Sequence, residues 1–266
     1  MGKTSVSTGD TSTAFTFVYP KRPSPDQRAF IQRVVDAVDQ RAAAPPPTSG
    51  GAAMGADGGL AEVLDFGSFA RYFVLQELAV DIDGYAFSDY VAVRGGRLEH
   101  AAPWDYDLAF NFECRPLYFN NAYTGENSAN STGGWNVENV RDSANWFGPM
   151  GDSGGSVKYF GTNRRQLFLN IWGQPSFREA FVDAWREARR GALTDEALMS
   201  MVEGHAAQIE PAAQHDIRLW SNSERCAFFE CCHPEDKTDF RSATLHLKQH
   251  LLSRARWIDS HVARLL

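Results

Sequence analysis

Residues 73–111, "FVLQELAVDIDGYAFSDYVAVRGGRLEHAAPWDYDLAFN", contain a helical segment, a pair of aspartates, a hairpin and a second pair of aspartates, in that order. The helical segment begins upstream at Ser68 and is apolar on nearly every side up to Val80, which is typical of a buried helix. Gly95 and Gly96 then separate two strand-forming runs and supply the positive φ angles of a tight two-residue turn. This order predicts an α+β fold, mainly helical, in which a small β-hairpin lies between helical segments and carries the site.

The second pair of aspartates, Asp105 and Asp107, lies within the otherwise apolar run "PWDYDLAF" at 103–110. If residues 104–108 are extended, side chains alternate and both carboxylates point to the same face. Two neighbouring carboxylates repel each other unless a cation lies between them, and Mg²⁺ is commonly held by one or two carboxylates. The alternative is a pair of solvated aspartates at a strand end, or caps of a following helix. The spacing supports both interpretations equally.

The segments around this stretch carry helix and loop signals. Ser24, Pro25 and Gln27 form the signature of a helix N-terminus with a capping box. Small residues and prolines at 42–59 indicate a linker or surface loop. Residues 111–165 are rich in Gly, Ser and Asn, and we expect an irregular insertion there, either near the site or as an ordinary surface excursion.

The last third of the chain is predicted to be helical. Ser176 and Glu179 predict a capping box, and Thr194 predicts the N-cap of the next helix. A final segment has apolar residues at three- and four-residue steps with a basic face that we expect to be solvated. That face comprises Lys248, Arg254 and Arg256. The positions predicted to be apolar contacts are Phe30, Val34, Val35 and Val38 near the N-terminus, and Phe177, Phe181, Trp185, Met201, Val202, Ile209, Leu247, Leu251, Ile258, Val262 and Leu265 in the last third.

The composition excludes some classes of function. The chain of 266 residues has a net charge of -7, so it has no basic excess with which to neutralise the phosphates of a nucleic acid. No apolar run is long enough to predict a membrane span, and the first residues lack the apolar core of a signal peptide. Neither observation assigns a compartment.

A short motif, "GDSGGS" at 151–156, resembles the stretch around the nucleophilic serine of chymotrypsin-like proteases, with Ser153 in that position. Such a serine needs a histidine base that a buried carboxylate orients. His100 is the one histidine upstream, and its context "LEHAAP" differs from that of the protease base. The helical C-terminal third also disagrees with a double β-barrel. Ser153 is therefore predicted to be a loop residue.

Three of the four cysteines lie within "CAFFECCHPED" at 226–236. With His233 they suggest a zinc site, but the adjacent Cys231 and Cys232 are poorly spaced to share a tetrahedral ion. A disulfide or free thiols among Cys226, Cys231 and Cys232 is the preferred interpretation, and the sequence does not decide the pairing.

A further acid before the hairpin favours the metal-binding interpretation of Asp105 and Asp107. Asp83 follows the buried helix, and Ser88 lies five positions beyond it. In protein kinases a catalytic Asp is followed five positions on by a metal-binding polar residue, and a second Asp beyond a hairpin holds Mg²⁺. The layout of this chain is similar to that of a kinase catalytic segment.

The same stretch resembles the core of the CotH family, the spore-coat-protein-H type of atypical protein kinase. The shared pattern comprises the helix ending in Glu77–Leu78, the segment 81–83, the Gly-containing hairpin and "PWDYD" at 103–107. Further matches in the helical segments extend the likeness from about Phe17 to the C-terminus. The resemblance implies a kinase-like fold that binds ATP and Mg²⁺ or Mn²⁺ and phosphorylates protein substrates.

Residue by residue, the resemblance places Asp83 in the catalytic position and Asp105 as the metal ligand. Asp107 would assist Asp105 or brace the loop, Ser88 would occupy the second metal-facing position, and Trp104 would lie near the nucleotide. Two positions depart from the family pattern. Asp81 replaces an Asn, and Asn111 stands where Gly is common.

A lysine-bearing nucleotide lobe is not evident in the sequence upstream of the catalytic segment. Kinases grip ATP with such a lobe, but before Asp83 this chain has only Lys3 and Lys21. We therefore expect residues 17–266 to form the helical-lobe portion of a CotH kinase-like domain, after a disordered segment at 1–16. A complementing N-lobe in a longer protein is then the expected partner. The alternative is a catalytically silent CotH-like structural or interaction module.

Overall fold

The computed structural model describes residues 5–7, 14–45, 58–81, 84–85, 88–106, 109–110, 134–139, 164–219 and 240–266. Several predicted features lie outside these residues. They are Asp83, Asp107, Asn111, Ser153, all four cysteines, His233, the middle of the linker and most of the 111–165 segment.

The described part is mainly helical with two small antiparallel hairpins, which confirms the α+β prediction. In chain order its elements are β1 (Ser5–Ser7), β2 (Ala14–Thr16), α1 (Pro25–Ala43), α2 (Leu60–Val63), α3 (Phe66–Ala79), β3 (Asp89–Arg94), β4 (Arg97–Pro103), α4 (Asn136–Asn139), α5 (Arg164–Gly173), α6 (Pro175–Arg189), α7 (Asp195–Leu219), α8 (Phe240–His261) and a 3₁₀ turn (Val262–Leu265). Among the described residues, no helix combines the length and the apolar character that crossing a membrane requires.

Helix α3 lies at the centre of the core and packs against α6, α8, α4 and strand β4. Its Phe73 is fully buried and contacts the ring of Phe177 edge-on, with the centroids 4.9 Å apart. The same ring stacks on Trp172 of α5. Aromatic pairs of this kind add to the free energy of burial, so α3 is held on several sides by aromatic side chains. The predicted burial of this helix is confirmed.

Two predicted helix N-termini and the predicted hairpin turn are confirmed. Ser24 caps α1 through a reciprocal capping box with Gln27. Gly95 and Gly96 form the turn of the β3–β4 hairpin with φ angles of 56° and 82°. The hydroxyl of Thr194 accepts a hydrogen bond from the Ala197 amide at the start of α7, at 3.1 Å.

The capping box predicted at Ser176 and Glu179 is wrong. Helix α6 begins at Pro175, and the extended residue Gln174 is its N-cap without a side-chain cap bond. Proline favours the first helical position because its missing N–H is not needed there, and this places Ser176 inside the first turn.

Three apolar positions that were predicted to be contacts are half exposed. Phe30, Met201 and Ile209 have exposed fractions of 42%, 49% and 53%. Helix α1 docks through residues after its first turns, and α7 buries only Leu198 and Val202. Periodicity identifies a helix face, but it does not show where along the helix the contact ends. The other predicted apolar contacts are buried or partly buried.

The segment at 1–16 differs from the predicted disorder where it is described. Strands β1 and β2 pair in antiparallel register, with Val6 opposite Phe15. Both of these side chains are buried, and β1 contacts α1. The boundaries of the domain at 17–266 stay a prediction.

Candidate active site

Ser88, Trp104 and Asp105 lie at the open end of the β-hairpin, opposite the glycine turn. Ser88 immediately precedes β3, and Trp104 and Asp105 immediately follow β4. Because Asp89 pairs with Pro103 across the two strands, the start of β3 and the end of β4 are neighbours. The hairpin therefore brings together the three predicted site residues that the structure describes.

These three side chains differ in exposure. Ser88 is buried, whereas Asp105 is exposed and Trp104 has 57% of its surface exposed. The Trp104 ring meets the edge of the Tyr90 ring at 5.6 Å between centroids. An exposed indole braced by a second ring is suited to contact a planar ligand, because aromatic faces stack.

The extended conformation considered for residues 104–108 does not hold at Asp105. Strand β4 ends at Pro103, and Asp105 has a left-handed backbone with φ of 59°. Aspartate tolerates this region better than most residues because its short polar side chain bonds locally. Side-chain alternation therefore does not place Asp105 and Asp107 on one face, and the relation between them stays a prediction.

Two other carboxylates are buried, those of Asp81, which follows α3, and of Asp89, the first residue of β3. Their charges and, above all, burial raise the pKa of the Tyr72 hydroxyl well above its ordinary value. Burial and then the charge of Asp81 also raise the pKa of the Tyr106 hydroxyl.

A chain of polar contacts connects α3 to both sides of the hairpin. The Gln76 amide donates to the Tyr106 hydroxyl at 2.7 Å. The Tyr72 hydroxyl donates to the backbone carbonyl of Gly84, the residue after Asp83. A Cβ on Gly84 would lie 2.0 Å from Oε1 of Gln76, so the buried amide packs directly on the glycine backbone.

Replacing Gly84 by alanine is expected to lower the free energy of unfolding by about 1–3 kcal/mol, because the new methyl group displaces the buried Gln76 amide from Tyr106. Urea unfolding measures the change. Gly204→Ala is the control, since Gly204 lies within α7 with nothing within 4 Å of its Cβ position, and that variant should gain about 0.5–1 kcal/mol. Equal effects of the two substitutions would contradict the close approach of Gln76 to Gly84.

Backbone carbonyls in the last turn of α3 accept hydrogen bonds from residues that are distant in sequence. Helix ends leave backbone carbonyls without intrahelical partners, and buried ones need others. The Phe110 amide donates to the carbonyl of Ala79 at 2.7 Å, and Arg254 donates to the carbonyl of Glu77 at 2.5 Å. His250 bonds the backbone of Leu78. The exit of the chain from α3 towards the aspartates is therefore fixed by tertiary contacts.

Glu77 is a fully buried acid at the centre of these contacts. Its carboxylate pairs with Arg254 at 2.9 Å and accepts a hydrogen bond from the Tyr85 hydroxyl at 2.8 Å. The backbone amides of Asn136 and Val137 donate to it at 2.6 and 2.9 Å. Burial raises the pKa of Glu77, while Arg254 and these donors oppose the rise. Four hydrogen-bonding partners compensate for much of the desolvation of the charge.

The predicted solvation of Arg254 is therefore wrong. Its side chain is 1% exposed, and it joins α8 to α3 and to the Gly134 carbonyl at 2.6 Å. The guanidinium is suited to this position because its planar fork donates in several directions at once. Lys248 and Arg256, by contrast, pair with Glu203 and Asp195 near the surface.

The donors that could hold a divalent metal are oxygen atoms of the aspartates and Ser88, which is the chemistry that Mg²⁺ and Mn²⁺ prefer. Within the described ranges, no three His, Cys, Asp or Glu side chains converge as a metal-binding group. Asp83 and Asp107 lie outside those ranges, so a metal site that includes them stays a prediction.

His100 lies on β4 with its ring stacked on Tyr72, the centroids being 3.6 Å apart. Burial lowers the pKa of His100 to about 4. Its ring also contacts the edge of Phe69, so aromatic packing accounts for this histidine. Ser153, which is predicted to be a loop residue, lies outside the described residues.

The model of one protein family, described as CotH kinase protein, matches residues 56–258. The chain belongs to the CotH kinase family. The match begins just before α2 and ends within α8, so it includes α3, the hairpin, the aspartates and Arg254. The resemblance to the CotH family was predicted from about Phe17 to the C-terminus. It is confirmed for residues 56–258, and α1 lies before the matched region. No curated protein and no solved structure matches this CotH chain.

Sequence reasoning missed the roles of Glu77, Asn136 and Arg254 in this CotH domain. The sequence does indicate that Glu77 is a buried charge, because it is an acid within a helix that is otherwise apolar on nearly every side. A buried charge needs a partner of opposite charge. That signal predicts a basic partner, but it does not identify which arginine supplies it.

Proposed function

We propose that this CotH-family chain takes part in phosphoryl transfer from Mg²⁺- or Mn²⁺-bound ATP to serine or threonine hydroxyls of protein substrates. The observation that supports it is the arrangement at the hairpin. The family match covers the whole catalytic stretch, and the open end of the hairpin brings Ser88 beside Trp104 and Asp105.

In this proposal the residues of the chain have separate roles. Asp83 orients the acceptor hydroxyl and takes its proton as the oxygen attacks the γ-phosphorus and the bond to the ADP oxygen breaks. Asp105 and Asp107 hold the divalent ion with Ser88 as the second metal-facing group, and Trp104 contacts the nucleotide. When bound, the metal ion neutralises charge on the phosphate oxygens.

We propose further that a separate N-lobe supplies the lysine that pairs with the phosphates. The described residues upstream of the site offer Lys21 alone, which is exposed in a bend before α1. The isolated chain is then expected to bind metal but to transfer phosphate weakly or not at all. A catalytically silent CotH-like interaction module is the alternative, and the replacement of the family Asn by Asp81 is the observation that favours it.

Mn²⁺ binding tests the proposal, because free hexaaqua Mn²⁺ gives an electron paramagnetic resonance signal that disappears on binding. Asp105→Ala and Asp107→Ala are each expected to weaken Mn²⁺ binding by more than about tenfold, since each removes a charged oxygen donor from the site. Asp183→Ala is the control, because Asp183 is an exposed acid on α6 with 82% of its side chain accessible.

Activity with radiolabelled ATP separates the two candidate functions. Autophosphorylation that Asp83→Ala and Asp105→Ala both abolish would show that the chain is active alone, against our expectation. Mn²⁺ binding without transfer supports the need for an N-lobe. If the unsubstituted chain does not bind Mn²⁺, or if the three variants bind it equally, the phosphotransferase proposal is wrong and the silent module remains.

A further inference from the structure

Asn136 is a fully buried residue at the start of α4, beneath the C-terminal end of α3. Its side-chain amide donates to the backbone carbonyl of Asp81 at 3.0 Å and to that of Gln76 at 3.4 Å. The two carbonyls lie on either side of the helix end, because Val80 is the C-cap of α3 with a left-handed φ of 51°. One side chain therefore connects the last turn of the helix to the backbone that leads to Asp83.

The side chain of Asn136 is not what docks α4 on the core. The backbone amides of Asn136 and Val137 make that contact by donating to the Glu77 carboxylate. The neighbouring Val137 is buried, and Trp172 donates to the carboxylate of Glu138 at 3.0 Å. Removing the amide of Asn136 leaves all of these contacts in place, so its effect on the Asp81 backbone can be isolated.

The Asn136 side chain has one buried oxygen without a hydrogen-bond partner among the described residues, and a contribution to stability does not explain this. Within the described part of the chain, its buried Oδ1 has no hydrogen-bond partner. A buried acceptor without a partner costs free energy, and such groups in folded proteins call for a specific explanation. The amide donor facing Asp81 supplies one, since the same side chain bonds both carbonyls.

We propose that Asn136 is a positioning residue for the active site, which fixes the direction in which the chain leaves α3 and so positions the segment that leads to the predicted catalytic Asp83 and the metal-facing Ser88. The inference rests on the proposed function. It assigns a role in the site to the 134–139 segment, which lies inside a stretch that the sequence indicated only as an irregular insertion. Residues that orient metal ligands without touching the metal commonly change its affinity by about 10–100-fold.

The experiment compares Asn136→Ala with Gln174→Ala in the full chain. Gln174 is the matched control, because it is also a buried amide that donates to two backbone carbonyls, those of Ala42 and Ala44 at 2.8 and 3.0 Å. Its contacts complete the end of α1, away from the hairpin. Asn136→Ser is a second, polar variant in case the alanine variant does not fold, and its shorter side chain loses the direct bond to the Asp81 carbonyl.

Mn²⁺ affinity is the first measurement. Asn136→Ala is expected to bind Mn²⁺ roughly tenfold more weakly than the unsubstituted chain, while Gln174→Ala binds with unchanged affinity. Equal affinity of folded Asn136→Ala or Asn136→Ser and the unsubstituted chain would overturn the inference and leave the proposed function intact. Failure of the unsubstituted chain to bind Mn²⁺ would overturn the proposed function instead.

Amide hydrogen exchange, followed by mass spectrometry without metal, tests the inference independently of the proposed function. Asn136→Ala is expected to accelerate exchange in peptides that cover residues 78–90, with little change in α6 and α7. Gln174→Ala should accelerate exchange near the end of α1. Acceleration spread evenly over the chain in Asn136→Ala would mean that the residue stabilises the whole fold and does not position the site.

Discussion

Replacing Arg254 by methionine is expected to lower the free energy of unfolding by about 3–5 kcal/mol, because it leaves the buried Glu77 carboxylate without its ionic partner. Glu77 is 0% exposed and Arg254 1%, so water compensates for neither charge. The substitution also removes the donor to the Glu77 carbonyl and with it part of the end of α3. Chemical denaturation followed by tryptophan fluorescence measures the loss.

Two further variants decide whether the ion pair is the cause. Arg256→Met, two positions away on α8, is expected to cost under about 1 kcal/mol, because Arg256 is 67% exposed and its pair with Asp195 is screened by water. The double variant Glu77→Gln/Arg254→Met should lose less than the sum of its single variants, since no unpaired charge remains. Strict additivity in this cycle would contradict the pairing.

Stability is expected to fall as the pH is lowered from about 6.5 to about 4, and His250 accounts for a large part of the fall. Burial, and to a lesser degree the charges of Arg254 and His246, lower the pKa of His250 from 6.5 to about 4. Between these values the unfolded chain binds a proton that the folded chain does not, so acid favours unfolding. The shift corresponds to a loss of roughly 3 kcal/mol across this range.

His250→Gln tests this contribution, because glutamine does not titrate. Its free energy of unfolding should depend less steeply on pH between 6.5 and 4 than that of the unsubstituted chain, although His100 titrates in the same range. His205→Gln is the control, since His205 is exposed on α7. Parallel pH profiles of the unsubstituted chain and His250→Gln would show that His250 is not the responsible group.

The sequence was sufficient where structure depends on neighbours along the chain. The capping box at Ser24 and the Gly95–Gly96 turn use contacts within a few residues, and both are confirmed. The position of the hairpin after a buried helix also follows from order and periodicity. The family could be identified for the same reason, because its pattern is carried by local motifs.

The sequence was insufficient where a side chain has a distant partner. Arg254 fits a solvated basic face by its spacing on α8, but its partner Glu77 lies 177 positions away. Periodicity along one helix carries no information about what covers that helix. The conformation of Asp105 could not be predicted for a related reason, because the left-handed turn after β4 depends on how the chain packs beyond the strand.

The end of α3 has a consequence for the order in which the protein acquires its structure. Its carbonyls are capped by Phe110, His250 and Arg254, which are 31 to 177 positions further along the chain. Contacts between such distant residues form late, because the loops between them must close first. A polypeptide emerging from the ribosome exposes α3 and the hairpin long before α8 is synthesised. We therefore expect the end of α3 and the segment that follows it to reach their final arrangement only when α8 docks.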